Sequence, residues 1–459
     1  MKLRQAHLDY DVAVMGGGPG GLSAAVAAAR AGARTILVER TYALGGAAAS
    51  GLGILGYLDR SGRKALGGIA QELSDRLEAV GGAAGHFRCP VHNSITPVSP
   101  DLVKIVAAAM CAEAGVDVLF GNEVMDAQVA GGQLVSATVF GKLTQTRITA
   151  RVFVDATGDG DLAALSGAPF VTGQDGTGQL QPATLMFTLT DFDLDRFFDF
   201  LQEHPEEVGI KEEYAGGYDV DFFRRTPGHC FIGLHGIIAR ARAAGEFDVP
   251  RNQFIYITTP SRGLLAVNTS RVQRIDASDP RDLSAGLMEG YDQVLQITRL
   301  LNNHVPGFEH ARIAQIAPGL GVRETRHFQG MARLTRQTMN DAETMASAIA
   351  LSAYNIDIHS ATQETIDLTV VEEPFGIPYG CLVPTAPRGL LLSGRTISVD
   401  TQVYASVRVM GPCLAIGEAA GTAAAMAVAG STEGAEVPID PPQAELVRNG
   451  AVLSAAAPV

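Results

Sequence analysis

The stretch from Asp11 to Glu39 constrains the fold more than any other part of the chain. DVAVM (Asp11 to Met15) is a short apolar run of the kind buried in a parallel sheet. GGGPGG follows, then an Ala-rich helix, LSAAVAAARAG, closed by Gly32 as a C-cap. TILVE (Thr35 to Glu39) makes the second strand, so the whole reads as one βαβ unit. Gly16, Gly18 and Gly21 spell G-x-G-x-x-G between strand and helix. The first allows a tight turn, the second lets backbone approach a pyrophosphate, and the third lets helix and strand pack closely. The helix N-terminus presents free N–H groups and positive dipole to phosphates. Glu39 ends the second strand, near the spacing for a carboxylate on the ribose hydroxyls of a dinucleotide. Gly51, Gly53 and Gly56 spell the same pattern, but no strand precedes them and no acidic strand end follows; they are expected to form a flexible loop.

A chain of 459 residues is too long for one compact core, so two domains are expected. A formal net charge of −14 argues against a nucleic-acid role, which needs a dominant basic surface. Cys89, Cys111, Cys230, Cys381 and Cys413 are scattered, with no C-x-x-C pair, which predicts small buried hydrophobes in a reducing compartment. MKLRQAHLDYD leads into a strand without an apolar signal core, and Cys413 to Gly430 contains Glu418. That Ala/Gly-rich stretch suits a packed core helix better than a membrane span, and a cytoplasmic location is the expectation.

Helices are predicted over about 67–80 and, with Asp101 as N-cap, over 101–115. VDVLF reads as another parallel strand. Residues 122–153 read as antiparallel strands turning at Gly131-Gly132, followed by a buried strand ARVFVDAT that ends at Gly158. After residue 172 the texture becomes β-rich: ATLMFTLTD, then NQFIYITTP and GLLAVNTS as a hairpin through Pro260 to Gly263. The charged segment from Glu203 to Tyr214 reads as a surface connection, and a long helix is predicted from Leu283 to Asn303. The expected organisation is a dinucleotide-binding part over 1–172, an inserted substrate domain over 173–320, and a return to the first domain over 321–459.

Several segments carry a resemblance. Glu39-Arg40 followed by Leu44-Gly45-Gly46 resembles the text after the second strand of glutathione-reductase-like FAD folds. VDATGDGDLAALSGAPF (Val154 to Phe170), VPGFEHARI with GVRETRHFQG, IDIH with IPYGCLVP, and LLLSGRTIS followed by ASVRVMGPCLAIGEAAGTAAA resemble the FAD-dependent oxidoreductase family across most of the chain. The resemblance implies an α/β fold: a Rossmann-like FAD-binding domain of glutathione-reductase type with an inserted mixed α/β, β-rich substrate domain. It implies FAD as cofactor, held by Gly16, Gly18, Gly20, Gly21, Glu39, Arg40, Gly45, Gly46, Ala47, Ala156, Thr157, Gly158, Gly394, Arg395 and Gly417, with Val124 at the adenine. Read from the residues alone, Gly394 ends a strand where a small residue lets the ribityl chain pass. The small-residue helix beyond Ser406 would aim its N-terminal dipole at the flavin; its small residues would equally let two helices pack.

The reaction site is expected in the crevice between the two domains. His359 in NIDIHS is the first candidate for a base, with Asp357 or Asn355 to orient it. Arg323, with Glu324 and Arg326, either clamps a carboxylate or joins a buried salt-bridge lattice. By resemblance, Tyr404 and Arg408 lie near the flavin ring. His86, Cys89 and His92 form H-x-x-C-x-x-H, but three ligands on one loop without a fourth do not make a metal site, and none is expected. The expected function is a dehydrogenase or oxidase that moves a hydride from a small organic substrate to FAD. A monooxygenase or reductase fed by NAD(P)H and an electron-transfer subunit of a larger complex are the alternatives. The expected partner is a small-molecule substrate, with no nucleic acid and no membrane; a homo-oligomer is left open.

Overall fold

The computed structural model describes residues 3–209 and 218–454. Met1, Lys2 and the part of the charged connection from 210 onward lie outside the described residues. The first part of the chain runs β1 (Arg4–Met15), α1 (Pro19–Arg30), β2 (Thr35–Glu39), β3 (Ile54–Leu55), α2 (Gly68–Ala79), β4 (Phe87–Cys89), β5 (Asn93–Thr96), α3 (Pro100–Ala114) and β6 (Asp117–Phe120). It continues as β7 (Glu123–Ala130), β8 (Gln133–Gly141), β9 (Thr144–Asp155), α4 (Asp161–Leu165) and β10 (Phe170–Thr172).

β1, β2, β6 and β9 form a parallel sheet in the order β6–β2–β1–β9, a Rossmann-like core. Val12, Ala13, Val14 and Met15 are fully buried, as the apolar run demands. Two strands are longer than the sequence pattern implied. β1 begins at Arg4, because the polar residues before Asp11 pair along the equally long β9 with their side chains largely exposed. β9 is one strand: its first half also pairs antiparallel with β8, and its end pairs parallel with a strand from the far end of the chain. Ser99 rather than Asp101 takes the N-cap position of α3, with Pro100 opening the helix.

The middle of the chain contributes β11 (Phe187–Thr190), α5 (Leu194–Glu203), α6 (Val220–Arg225), β12 (Cys230–Gly233), α7 (His235–Ala243), β13 (Phe254–Thr258), β14 (Leu265–Val267), α8 (Pro280–His304) and β15 (Arg312–Ile316). Its strands make a separate antiparallel sheet, β12–β13–β14–β11–β15, with β13 and β14 paired as a hairpin. α8 starts earlier than its periodicity suggested because Asp279 caps it, accepting from the Arg281 and Asp282 N–H groups. This unit has its own core, in which Phe197, Phe231, Phe254, Tyr256 and Phe308 meet ring to ring.

The chain returns through β16 (Arg326–Phe328), α9 (Ala342–Ala346), β17 (Ala348–Ser352), β18 (Ile356–His359), β19 (Ile366–Thr369), β20 (Phe375–Pro378), β21 (Leu390–Leu392), α10 (Thr401–Val407), α11 (Met410–Gly430) and α12 (Asp440–Arg448). β21 joins the parallel sheet beside the end of β9. Among the described residues α11 alone is long and apolar enough to cross a membrane, yet most of it is buried inside the fold. Its small residues serve that burial: a Cβ on Gly417 would sit 2.0 Å from the Gly20 carbonyl oxygen, and one on Gly421 would sit 2.1 Å from that of Ala24. α1 and α11 therefore pack backbone to backbone.

Candidate functional site

The glycine turn after β1 has the expected mechanics. Gly16 adopts φ +101°, and a Cβ there would lie 2.2 Å from the Ala156 carbonyl oxygen. A Cβ on Gly21 would lie 1.7 Å from the Gly16 oxygen, so the third glycine seats α1 on its strand. Gly18 differs from both. It has ordinary extended backbone, and nothing lies within 4 Å of the place its Cβ would occupy. No acidic residue sits in the first turn of α1, so the helix's own first turn supplies no carboxylate to its positive end.

The flanking residues close around that space. Gly45 donates its N–H to the Gly17 carbonyl at 2.9 Å, and Gly46 packs against the Gly18 backbone. Glu39 accepts from the N–H groups of Gly17 and Thr41, both at 2.7 Å, which fixes its carboxylate beside the turn. Arg40 and Ala47 are exposed, and Val124 is half-buried on β7. Asp155 accepts from the Thr157 N–H and hydroxyl and from the Ala163 N–H, shaping the Ala156–Thr157–Gly158 turn; burial pushes its carboxyl up to about 6. Gly20 lies against Ser393 and Gly394 at the end of β21. Arg395 is paired with Asp159 at 2.9 Å. Gly417 is turned into the α1 contact, and its visible work is helix packing.

From this cradle the path leads to a cavity of about 260 Å³ between the parallel sheet and the middle unit. Alternate residues of the antiparallel sheet form one wall: Cys230 and Ile232 on β12, and Ile255 and Ile257 on β13, preceded by Gln253 and Arg251. Opposite them stand Ala47, Leu52, Gly53 and Leu55, with Val409 and Met410 at the start of α11. The second G-x-G-x-x-G is thus part of a wall rather than a flexible loop. Ile54 and Leu55 pair with β5, and Gly53 and Leu55 are buried against the cavity.

Polar groups gather at one end. His359 is buried, and its ring lies between Asp357 Oδ2, 3.2 Å from Nε2, and Arg271 Nη1, 3.3 Å from Nδ1. A guanidinium can only donate, so Nδ1 is the acceptor and Nε2–H faces Asp357. Burial holds the imidazole well below its ordinary value, so it is neutral. Asp357 is ionised: although burial opposes this, His359, Arg408 and His92 hold its carboxyl well below the usual range. The Tyr354 hydroxyl donates to the same oxygen at 3.0 Å. Asn355 does not orient His359; its amide is spent on the Val91 carbonyl and the Val371 N–H.

The GVRETR segment divides. Arg323 lines the cavity, Glu324 is buried against His327 at 2.9 Å, and Arg326 pairs with Asp161 at 2.9 Å. Arg408 lines the cavity and donates to the Asp357 carbonyl at 2.9 Å. Tyr404 is buried behind it, its hydroxyl donated to the Arg323 carbonyl at 2.6 Å. His86 is turned away from His92, held by Thr96 and Gln71 and stacked on Tyr57. Cys89 and His92 pair at 3.3 Å, with His92 on the cavity wall. Sequence reasoning missed Arg251 and Arg271; the only signal was the alternation that places Arg251, Gln253, Ile255 and Ile257 on one face.

The residues present fit FAD. An open phosphate space stands before α1, and three buried polar atoms have no partner: Ser393 Oγ beside Gly20, and Arg395 Nη1 and Arg408 Nε on residues that line the cavity. None of the curated proteins matches the chain. Solved structures to which the chain is similar include a geranylgeranyl bacteriochlorophyll reductase-like protein from Thermoplasma acidophilum, 14% identical over 93% of this chain and 80% of that one, with a TM-score of 0.43. The p-nitrophenol 4-monooxygenase PnpA from Pseudomonas putida DLL-E4 is 13% identical over 72% of this chain and 70% of that one, with a TM-score of 0.42. CabE, an aromatic hydroxylase from angucycline biosynthesis, is 14% identical over 96% of this chain and 68% of that one, with a TM-score of 0.45. The model of the family described as FAD dependent oxidoreductase matches residues 11–446. The chain belongs to the FAD dependent oxidoreductase family and is an enzyme that binds FAD.

Proposed function

We propose that this enzyme is a dehydrogenase or oxidase of small organic molecules, built on a glutathione-reductase-type FAD domain interrupted by a substrate domain over 173–320. FAD, when bound, supplies the acceptor for a hydride. The observation that carries the reading is the neutral His359 beside ionised Asp357 at the polar end of an otherwise apolar cavity. The apolar walls hold the substrate body and keep water out. His359 takes the substrate's hydroxyl or amine proton at Nδ1, where the Arg271 contact is long and open to displacement. Asp357 then balances the imidazolium across the Nε2 bond.

In this account Arg408 positions Asp357, and Tyr404 positions Arg323 through its carbonyl. The phosphate end belongs to Gly16, Gly18, Gly21, Gly45 and Gly46, with Gly394 and Arg395 along the middle of the cofactor. The test is anaerobic mixing of the holoenzyme with alcohols, amines and hydroxy acids while the flavin band is followed. One class should bleach the wild-type band, and His359→Ala should keep its FAD but bleach about 10²-fold or more slowly. A flavin that stays oxidised with every class would end the proposal.

A further inference from the structure

We infer that the cavity takes its substrate by a carboxylate, held by Arg251 and Arg323, so that the substrate is a small organic acid with an apolar body. The inference deepens the substrate-oxidation reading and rests on it for the location of the site. Arg251 lies just before β13, in line with the row Gln253, Ile255 and Ile257 that faces the cavity, and it is only 2% exposed. Its Nε has no partner, and among the described residues no group accepts a hydrogen bond from its guanidinium. Arg323 gives one bond, to the Pro182 carbonyl at 2.5 Å, and has no carboxylate within ion-pair distance among the described residues. Arg271, 1% exposed, is bound by His359 and the carbonyls of Ser360 and Gln363, again with no carboxylate.

The neighbouring charges do not cancel this excess. Arg395 is matched by Asp159 and Arg408 by Asp357, the single carboxylate among the described residues of the cavity wall. Burial and the charge of Arg271 push Arg251 down to about 9; burial, then Arg408 and Arg251, do the same to Arg323. Both remain cations near neutral pH. Asp357 acts on both from a distance and Glu364 on Arg251, but among the described residues neither guanidinium has a carboxylate within ion-pair distance, and a buried cation so placed is completed by an anion from outside. The planar fork of a guanidinium matches a carboxylate bidentately. Around it the wall is Leu52, Met186, Ile232, Ile255 and Ile257, which suits a hydrocarbon body rather than a polyanion.

The test uses the FAD-loaded enzyme, with phenylacetate, its neutral amide phenylacetamide, and inorganic phosphate as probes, read by flavin difference spectra and by melting temperature. The acid should bind at least about tenfold more tightly than the amide, and phosphate should leave the band unchanged. Arg251→Met should weaken the acid at least about tenfold and leave the amide unaltered, with FAD content unchanged. It should also raise the melting temperature without ligand, because an unpaired buried charge is gone. Arg323→Met should weaken the acid in the same direction, which keeps a second variant available. Equal binding of acid and amide, binding of neither, a response to phosphate, or a lower melting temperature with unchanged acid affinity in Arg251→Met would each overturn the inference. Oxidation of neutral alcohols without preference for acids would remove this inference and leave the substrate-oxidation reading; binding of the acid with no substrate class oxidised would do the reverse.

Discussion

Replacing Gly18 by valine and Gly21 by alanine separates what the glycine turn does for the cofactor from what it does for the fold. Gly18 has φ −72° and ψ −173°, backbone any residue adopts, and nothing lies within 4 Å of its Cβ position. A side chain there should change the stability of the apoprotein by no more than about 1 kcal/mol. It would, however, fill the space before the first turn of α1. Blocking two charge-assisted hydrogen bonds to a phosphate, at roughly 1.5–3 kcal/mol each, costs about 3–6 kcal/mol, or ~10²–10⁴ in FAD affinity. Gly21→Ala is the contrast, because its Cβ would meet the Gly16 oxygen at 1.7 Å and α1 would have to leave its strand. That variant should lose about 3 kcal/mol or more of stability and lose FAD only as a consequence. The assay is FAD retained per protein chain after purification, with apoprotein melting measured alongside and flavin titrated back. Gly18→Val holding FAD at wild-type affinity, or melting like Gly21→Ala, would refute the placement of the pyrophosphate.

Three further outcomes follow from the same geometry. Glu418 accepts the Ile69 N–H at the start of α2, and burial pushes its carboxyl from 4.5 up to about 7. Its contribution to stability is therefore fully present below pH ~4.5 and lost as pH rises to ~7, a loss of about 3 kcal/mol; Glu418→Gln should flatten that limb in a pH series of denaturant melts. Gly417→Ala should destabilise the apoprotein by about 2–3 kcal/mol through the α1 contact, seen as a lower melting temperature before any change in cofactor chemistry. Asp357→Asn removes the charge that balances a protonated His359, so it should retain FAD but slow anaerobic flavin reduction by ~10²-fold or more.

The parts of the fold that repeat a local rule were legible in the chain. DVAVM, the glycine turn, the Ala-rich helix and TILVE fall where the periodicity places them, because each is buried on both faces or against one neighbour. The strand ends were not legible. Residues 4–10 are too polar to signal burial and are strand because they pair along 144–150, which read as strand within 122–153 but carried no sign that they continue unbroken into the buried strand. The site divides in the same way. His359 with Asp357 stood out as adjacent polar residues in an apolar setting, whereas Arg251 and Arg271 come from the middle unit and meet His359 and Arg323 only through the tertiary fold. His86, Cys89 and His92 show why spacing alone was not read as a metal site. They are close in sequence, yet the β4–β5 hairpin sends His86 to α2 and His92 to the cavity.

The most direct measurement is anaerobic mixing of the purified holoenzyme with NADPH and with NADH while the flavin absorbance is followed. If electrons enter from an organic substrate held beside His359 and Asp357, the oxidised band persists with both and bleaches only when the substrate is added. Rapid bleaching by either nicotinamide alone would contradict this route of entry and assign the chain to the monooxygenase or reductase chemistry instead.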